Sequence, residues 1–318
     1  MGQIKQPMNF LTARSGRWIG LWGLSLSLWL LPVGANAAEF STRQLTNAQQ
    51  QSTAIASVLQ QPANVIYLGE THDQAADHQA QLAIIQALQQ QKPGLTIGLE
   101  MVQRPYQAAL DRYIAGEIDE PTMRDRIEYD DRWGFDWEMY APIFRYAKAQ
   151  QIPLIALNTP REITRKVSKR GLTSLNLPDR RFIPPISAIE IGPAPYKTML
   201  TAILQQNHGT PDQPPKPDRI DRFVQAQVLW DETMAERIAQ AHQHNPDRPI
   251  VVLVGQGHLI YRYGIPRRVE RRIPGIKQQV ILLSPDPSLP TVDAEGTPIA
   301  DWWLKPTTPE SNPSQSQP

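Results

Sequence analysis

The stretch Val251–Ile260, VVLVGQGHLI, decides how the rest of the chain is read. Four branched apolar residues in succession suit a strand buried on both faces, and such strands belong to parallel sheets. The run then stops at two glycines and a histidine. Glycine lets backbone approach a ligand closely or adopt positive φ. His258 is one of six histidines among 318 residues. It stands just past the strand's carboxyl end, which is where open parallel sheets hold their ligands.

Four further apolar runs have the same character. NVIYLGETHD (64–73) reads as a strand ending at Gly69, with Asp73 placed to cap a helix carrying Leu82, Ile85 and Leu88 at helical spacing. PGLTIGLEM (93–101), IPLIALN (152–158) and QVILLS (279–284) read as strands too, and RPIVVLVG (248–255) is the clearest of the five. Helical patterns alternate with them. PREITRKVSKRG (160–171) has Pro near its start and Gly at its end. Phe223, Ala226, Trp230, Met234 and Ile238 form one apolar stripe over 222–240. The pattern predicts an α/β fold: a mostly parallel sheet covered by helices on both faces, with a helical insertion or subdomain over about 102–150. Pro-rich segments occupy 177–219, and 207–219 reads as a linker or lid. Residues 38–63 are polar and glutamine-rich, expected as a leader and a surface helix. The tail 305–318 is expected to be disordered.

Residues 1–37 carry Lys5, Arg14 and Arg17 and no acid, then a long apolar run closed by Ala35–Asn36–Ala37. This is the pattern of a secretory signal peptide cleaved after Ala37, the alternative being an uncleaved anchor, since the apolar run is not much shorter than a spanning helix. Removing it changes 32 basic against 31 acidic residues into 29 against 31, so no bulk charge points to nucleic acid. The chain has no cysteine. Export therefore brings no disulfide, and no lipid can be attached at a new N-terminal cysteine.

If the strands are parallel, their polar ends gather on one rim. Glu70 and His72 follow the first strand, Glu100 the second, Asn158 the third and His258 the fourth. Two carboxylates and two imidazoles can ligate a divalent metal such as zinc or manganese, or divide general acid–base work between them. Either glutamate can equally cap a helix, and either histidine can be a satisfied turn residue. His78 falls on the inward face of its helix and reads as structural. A second constellation is aromatic: Tyr129, Trp133, Phe135, Trp137 and Tyr140 can wall an apolar pocket or fill a core. Two basic groups, Arg161/Arg165/Lys169 and Arg262/Arg267/Arg268/Arg271/Arg272, can meet ligand carboxylates or face solvent.

VIYLGETHDQAADHQAQLAII (65–85), IGLEMVQRPYQAALDRYIAGEI (97–118), DRWGFDWEMYAPIFRYAKAQQIPLIALNTPREI (131–163) and VVLVGQGHLIYRYGIPRRV (251–269) together resemble the ChaN-type haem-binding uptake family. The resemblance runs from about Asn64 to Val269, within a ChaN-like domain expected over 64–304. It implies an exported, iron-regulated protein that binds haem for iron acquisition, with an α/β part and a smaller helical part. It also implies haem at a homodimer interface, with a tyrosine on the iron. Motif position favours Tyr140, then Tyr129 and Tyr106, and basic groups, Arg161 and Arg165 among them, would meet the propionates. The chain departs from the family in lacking the lipoprotein cysteine, so it is expected free in the periplasm or another extracytoplasmic compartment. The same motif positions resemble TIKI-like metalloproteases and erythromycin-esterase-like hydrolases. That resemblance implies the alternative, a metal-dependent peptide or ester hydrolase using Glu70, His72, Glu100 and His258. A third reading is a binding or assembly factor with neither ligand.

Overall fold

The computed structural model describes residues 43–208 and 215–304. The expected signal peptide, the tail from 305 and the middle of the expected linker lie outside them.

Eight strands form one sheet: β1 (Gln44–Thr46), β2 (Ser52–Ala54), β3 (Val65–Glu70), β4 (Thr96–Gln103), β5 (Leu154–Asn158), β6 (Ile250–Gly255), β7 (Gln278–Leu282) and β8 (Trp302–Leu304). Their order is β2-β1-β8-β7-β3-β6-β4-β5. The five apolar runs of the sequence are the contiguous parallel block β7-β3-β6-β4-β5. β8 extends it in parallel, β1 pairs antiparallel with both β8 and β2, and β2 forms the edge.

Residues 38–63 therefore need correcting. Where a surface helix was expected, the described part forms the β1–β2 hairpin and one short helix, α1 (Ile55–Leu59). Leu45, Ile55 and Val58 are buried. Strands of three residues leave no room for a period-2 pattern, so tertiary context decides them.

Helices α2 (Ala75–Gln91), α3 (Gln107–Ile114), α4 (Glu120–Arg126), α5 (Tyr129–Arg132) and α6 (Trp137–Ala149) precede β5. α7 (Arg161–Arg170) follows it, ending at Gly171 with φ 78°. α8 (Ala194–His208), α9 (Pro217–His244) and α10 (Ile265–Arg272) complete the set. The insertion begins at Arg104 rather than 102, because β4 runs on to Gln103. α9 is longer than its apolar stripe, since Pro217 opens it at a position that lacks an intrahelical N–H partner anyway. α2 is capped differently from expectation. Gln74, not Asp73, precedes it, and Asp77 in its first turn accepts from Thr71 N at 2.8 Å.

Alternate strand residues serve opposite cores, as the pleat requires. Ile66, Leu68, Ile97, Leu99, Val251 and Leu253 pack with Ile84, Tyr140 and Phe144 on one face. Val65, Tyr67, Val252, Val254, Val280 and Leu282 pack with Val228, Met234, Ile238 and Val269 on the other. Burial on both faces is why these strands read as continuous apolar runs. β6 lies between β3 and β4, and its register sets Glu70 opposite Gly255.

Candidate functional site

That register brings the strand ends to one rim. Glu70 closes β3, Glu100 lies near the end of β4, and His258 ends the turn Gln256–His258 that follows β6. Asn158 closes β5 and donates to the Glu100 carbonyl at 2.8 Å. The four residues divide into two hydrogen-bonded groups, separated by the backbone of Gly255.

The first group centres on Glu70, which is buried. Its Oε1 accepts from Tyr140 Oη at 2.6 Å and faces His72 Nδ1 at 2.8 Å. Its Oε2 accepts from Gln81 Nε2 at 2.5 Å. A carboxylate acceptor assigns the Nδ1 proton to His72. His78 donates through Nε2 to the His72 carbonyl at 3.0 Å and so secures the loop, as a structural histidine. The His72 side chain is 29% exposed and wedged between Trp133 and Phe135, with ring centroids 4.9 and 5.0 Å away. Burial works to lower its pKa, but the Glu70 hydrogen bond and the charges of Glu100 and Glu70 outweigh this and raise it above the ordinary value.

The second group centres on His258. Nδ1 lies 2.6 Å from Asp231 Oδ1 and Nε2 3.3 Å from Glu100 Oε1. Both neighbours are acceptors, so both nitrogens carry protons and the ring is an imidazolium. Burial opposes that charge. The facing Glu100 charge and the hydrogen bonds to Asp231 and Glu100 override it, raising the pKa to about 10. Burial would likewise raise Glu100, but the His258 charge and hydrogen bond, then His72 and the Gly255 N–H at 2.7 Å, hold it at about 2. Asp231 also accepts from the Tyr196 hydroxyl, and Arg268 approaches it at 3.7 Å.

Two glycines make this packing fit. A Cβ on Gly255 would lie 2.8 Å from His72 Cε1, and one on Gly264 would lie 2.2 Å from the His258 carbonyl oxygen. Neither glycine needs positive φ; both permit close approach.

A cleft of about 490 Å3 opens over this rim, within the range of small-molecule sites. Trp133, Phe135, Phe223 and Trp230 give it apolar walls, and Arg132, Arg161 and Arg165 a basic margin. Arg132 is engaged by Glu128, Glu162 and Gln103, and Arg161 donates to the Asp131 carbonyl. Arg165 has no acidic partner among the described residues. A second groove of about 490 Å3 shares these three arginines and continues along α7 to Lys169.

The aromatic cluster splits. Trp133 and Phe135 line the cleft, whereas Tyr129, Trp137 and Tyr140 are core. Tyr140 spends its hydroxyl on Glu70, and burial together with the Glu70 charge pushes its pKa far above the ordinary value. Tyr129 is buried with no partner for its hydroxyl among the described residues. Tyr106 is half-buried beneath the Arg132 guanidinium, 5.1 Å from its ring centroid. Four of the second basic group are engaged by acids, and Arg267 is exposed. Arg268 is buried against Glu232 at 3.2 Å, Arg271 and Arg272 reach Glu232 at 2.8 and 2.6 Å, and Arg262 pairs with Asp301. Asp231 was missed from the sequence, although one signal was there. Val224, Val228, Asp231 and Ala235 share one buried face of α9, and an acid in such a row needs a partner.

Comparison with known proteins now decides the family. The sequence model for "Haem-binding uptake, Tiki superfamily, ChaN" matches residues 58–269. The chain belongs to this family. A solved structure of ChaN from Campylobacter jejuni, described as binding haem cofacially, superposes with a TM-score of 0.65 at 19% identity, covering 82% of this chain and 96% of that one. The ChaN fold is thus shared. An erythromycin esterase, EreC, is similar at a TM-score of 0.42 and 14% identity over 76% of each chain, too remote to carry an argument about chemistry. Among curated proteins, RETICULATA-RELATED 5 of Arabidopsis thaliana, a chloroplastic protein, is 27% identical over 259 residues, 78% of this chain. The chain spans about a third (35%) of that relative's length.

Proposed function

We propose that this ChaN-family chain is an exported haem-binding protein that handles haem or iron outside the cytoplasm. The carrying observation is the cleft, which sets aromatic walls beside an arginine margin. Haem is a flat apolar ring with two carboxylates on one edge. Trp133, Phe135, Phe223 and Trp230 suit the ring, and Arg161 and Arg165 suit the propionates. Arg165, without an acidic partner among the described residues, and the basic groove beyond it favour an anionic ligand edge. The donor set therefore fits haem, which supplies an iron centre for binding or transfer while the chain supplies orientation and exclusion of water. A homodimer belongs to the same reading, and light scattering of the full chain with and without haemin tests it. Among the described residues no helix is long and apolar enough to cross a membrane.

The direct test is titration of the full chain with haemin. A defined absorption band that saturates, and that weakens in a Trp133→Ala/Trp230→Ala double variant, is the expected result. No saturable band in the unaltered chain would remove the reading.

The alternative, a zinc- or manganese-dependent hydrolase, has less support. Among the described residues no three His, Asp or Glu side chains are arranged to hold a metal ion. The reason is chemical: His258 gives both nitrogens to carboxylates, and His72 and Glu70 form a separate pair. These residues do not fit such a metal as they stand. Metal analysis of protein prepared without chelator checks this, with substoichiometric zinc and manganese expected.

A further inference from the structure

We propose that the exposed face of α7 and the loop 172–182 after it dock the protein on an anionic lipid membrane, with Leu177 entering the headgroup–acyl boundary. This goes beyond the haem-binding reading and does not depend on it.

The first observation is a run of cations that the cleft does not use up. Arg165 and Lys169 stand four apart on α7, and Arg170 ends the helix. Arg180 and Arg181 follow on the loop. All five are exposed, and none has an acidic partner among the described residues. The acids lining the groove along α7 are Glu128, Asp131 and Glu162. They belong to its other end, where Glu128 and Glu162 hold Arg132. Like charges four apart on a helix repel. An anionic surface facing them offsets that cost.

The second observation is Leu177. At 81% exposure it is the most exposed large apolar side chain among the described residues. Its loop is not slack. Asn176 and Asp179 exchange hydrogen bonds, each backbone N–H donating to the other's side chain, at 2.9 and 3.1 Å. Asp179 also holds Lys166 at 2.5 Å, which ties the tip back to α7. Arg180 donates to the Leu175 carbonyl at 3.0 Å, and Leu175 and Ile183 are buried against Ile163 and Val167 of α7. Leu177 and Pro178 are therefore presented outward on a braced turn, so insertion costs little further ordering.

One apolar anchor or one basic patch binds a bilayer weakly; the two together hold a protein at its surface. An acidic protein would match the cations, but a bilayer also takes the lone leucine without needing a pocket shaped for it. Arg165 lines both the groove and the cleft, so docking sets the cleft mouth beside the lipid headgroups.

The chain has no cysteine, so Leu177→Cys in the full chain carries a single apolar, environment-sensitive fluorophore. A local probe reports this face alone, whatever the N-terminal apolar run contributes. Its emission should brighten and shift to the blue with vesicles of phosphatidylglycerol and phosphatidylcholine, and be quenched by lipids brominated in the acyl chain. Phosphatidylcholine alone should give no change, and salt at about 0.5 M should reverse the response. Lys169→Ser/Arg170→Ser in the labelled chain should raise the lipid needed for half the response about 10- to 30-fold. A label at Gln91→Cys, exposed near the amino ends of the strands, should stay silent. No response at position 177, an equal response to neutral vesicles, or an equal response at position 91 would overturn the proposal. A response to soluble polyglutamate as large as that to the vesicles would also overturn it, and assign the face to an acidic protein.

Discussion

The carboxylate of Asp231, on the long helix α9, lies 2.6 Å from Nδ1 of His258, on the turn after β6. A helix on one face of the sheet thereby fixes the protonation state of a residue on its rim. The Asp231–His258–Glu100 row is a buried stack of alternating charges, with no lone pair left on the imidazole. It holds the cleft floor in shape.

Removing one member of such a row strands the others. Asp231→Ala is expected to cost about 3–5 kcal/mol of folding stability, because it leaves a buried imidazolium short of a partner. Urea unfolding of the full chain measures it. A loss below about 1 kcal/mol would mean that the row is not closed as described.

The same row sets the dependence of stability on pH. His258 has its pKa raised from 6.5 to about 10 on folding, so its contribution is complete below 6.5 and is lost as pH rises toward 10. Glu100 goes the other way, from 4.5 to about 2; its contribution is complete above 4.5 and is lost as pH falls toward 2. Unfolding free energy should therefore decline between pH 7 and 9.5. His258→Asn should flatten that limb, leaving only a residue from His72, whose pKa is also raised. An equally steep alkaline limb in the variant would contradict the row.

Gly255→Ala tests the floor beneath His72. Gly255 has φ −57° and ψ 135°, which alanine adopts freely, so any cost comes from contact alone. The new Cβ would sit 2.8 Å from an imidazole held by Glu70, and overpacking of this kind costs about 1–3 kcal/mol. The His72 ring resonances should shift while the far-UV circular dichroism stays the same. Unmoved resonances would show that the ring is not seated there.

Tyr140→Phe separates a supporting tyrosine from an iron ligand. It removes one donor from buried Glu70, at an expected cost of about 1–3 kcal/mol, and leaves the haemin absorption band unaltered. A lost band with unchanged stability would restore Tyr140 as the ligand.

Arg161 and Arg165 are exposed, so each is worth about 0.2–1 kcal/mol to an anionic ligand. Arg161→Ser/Arg165→Ser should weaken haemin binding several-fold and erase the preference for haemin over its dimethyl ester. An undiminished preference would place the propionates elsewhere.

The parallel block and its rim were legible because strands buried on both faces leave uninterrupted apolar runs, and Glu70, Glu100 and His258 interrupt them at the ends. The aromatic cluster was less so. α5 has four residues, too few for a helical period to tell inward Tyr129 from cleft-lining Trp133. The engagement of the basic group after His258 was hidden for a related reason: Glu232, which holds Arg268, Arg271 and Arg272, is on another helix 36 residues before Arg268, and no local pattern announces it. β1, β2 and β8 were hidden by their shortness. Asp231 was visible only as a polar break in the α9 row, and its partner was visible only in three dimensions.

The most direct measurement is a crystal structure of the full chain with haemin, in which anomalous scattering locates the iron. The account predicts one iron peak in this cleft, the porphyrin between Trp133 and Trp230, and the propionates toward Arg161 and Arg165. Haemin bound away from this cleft would contradict it.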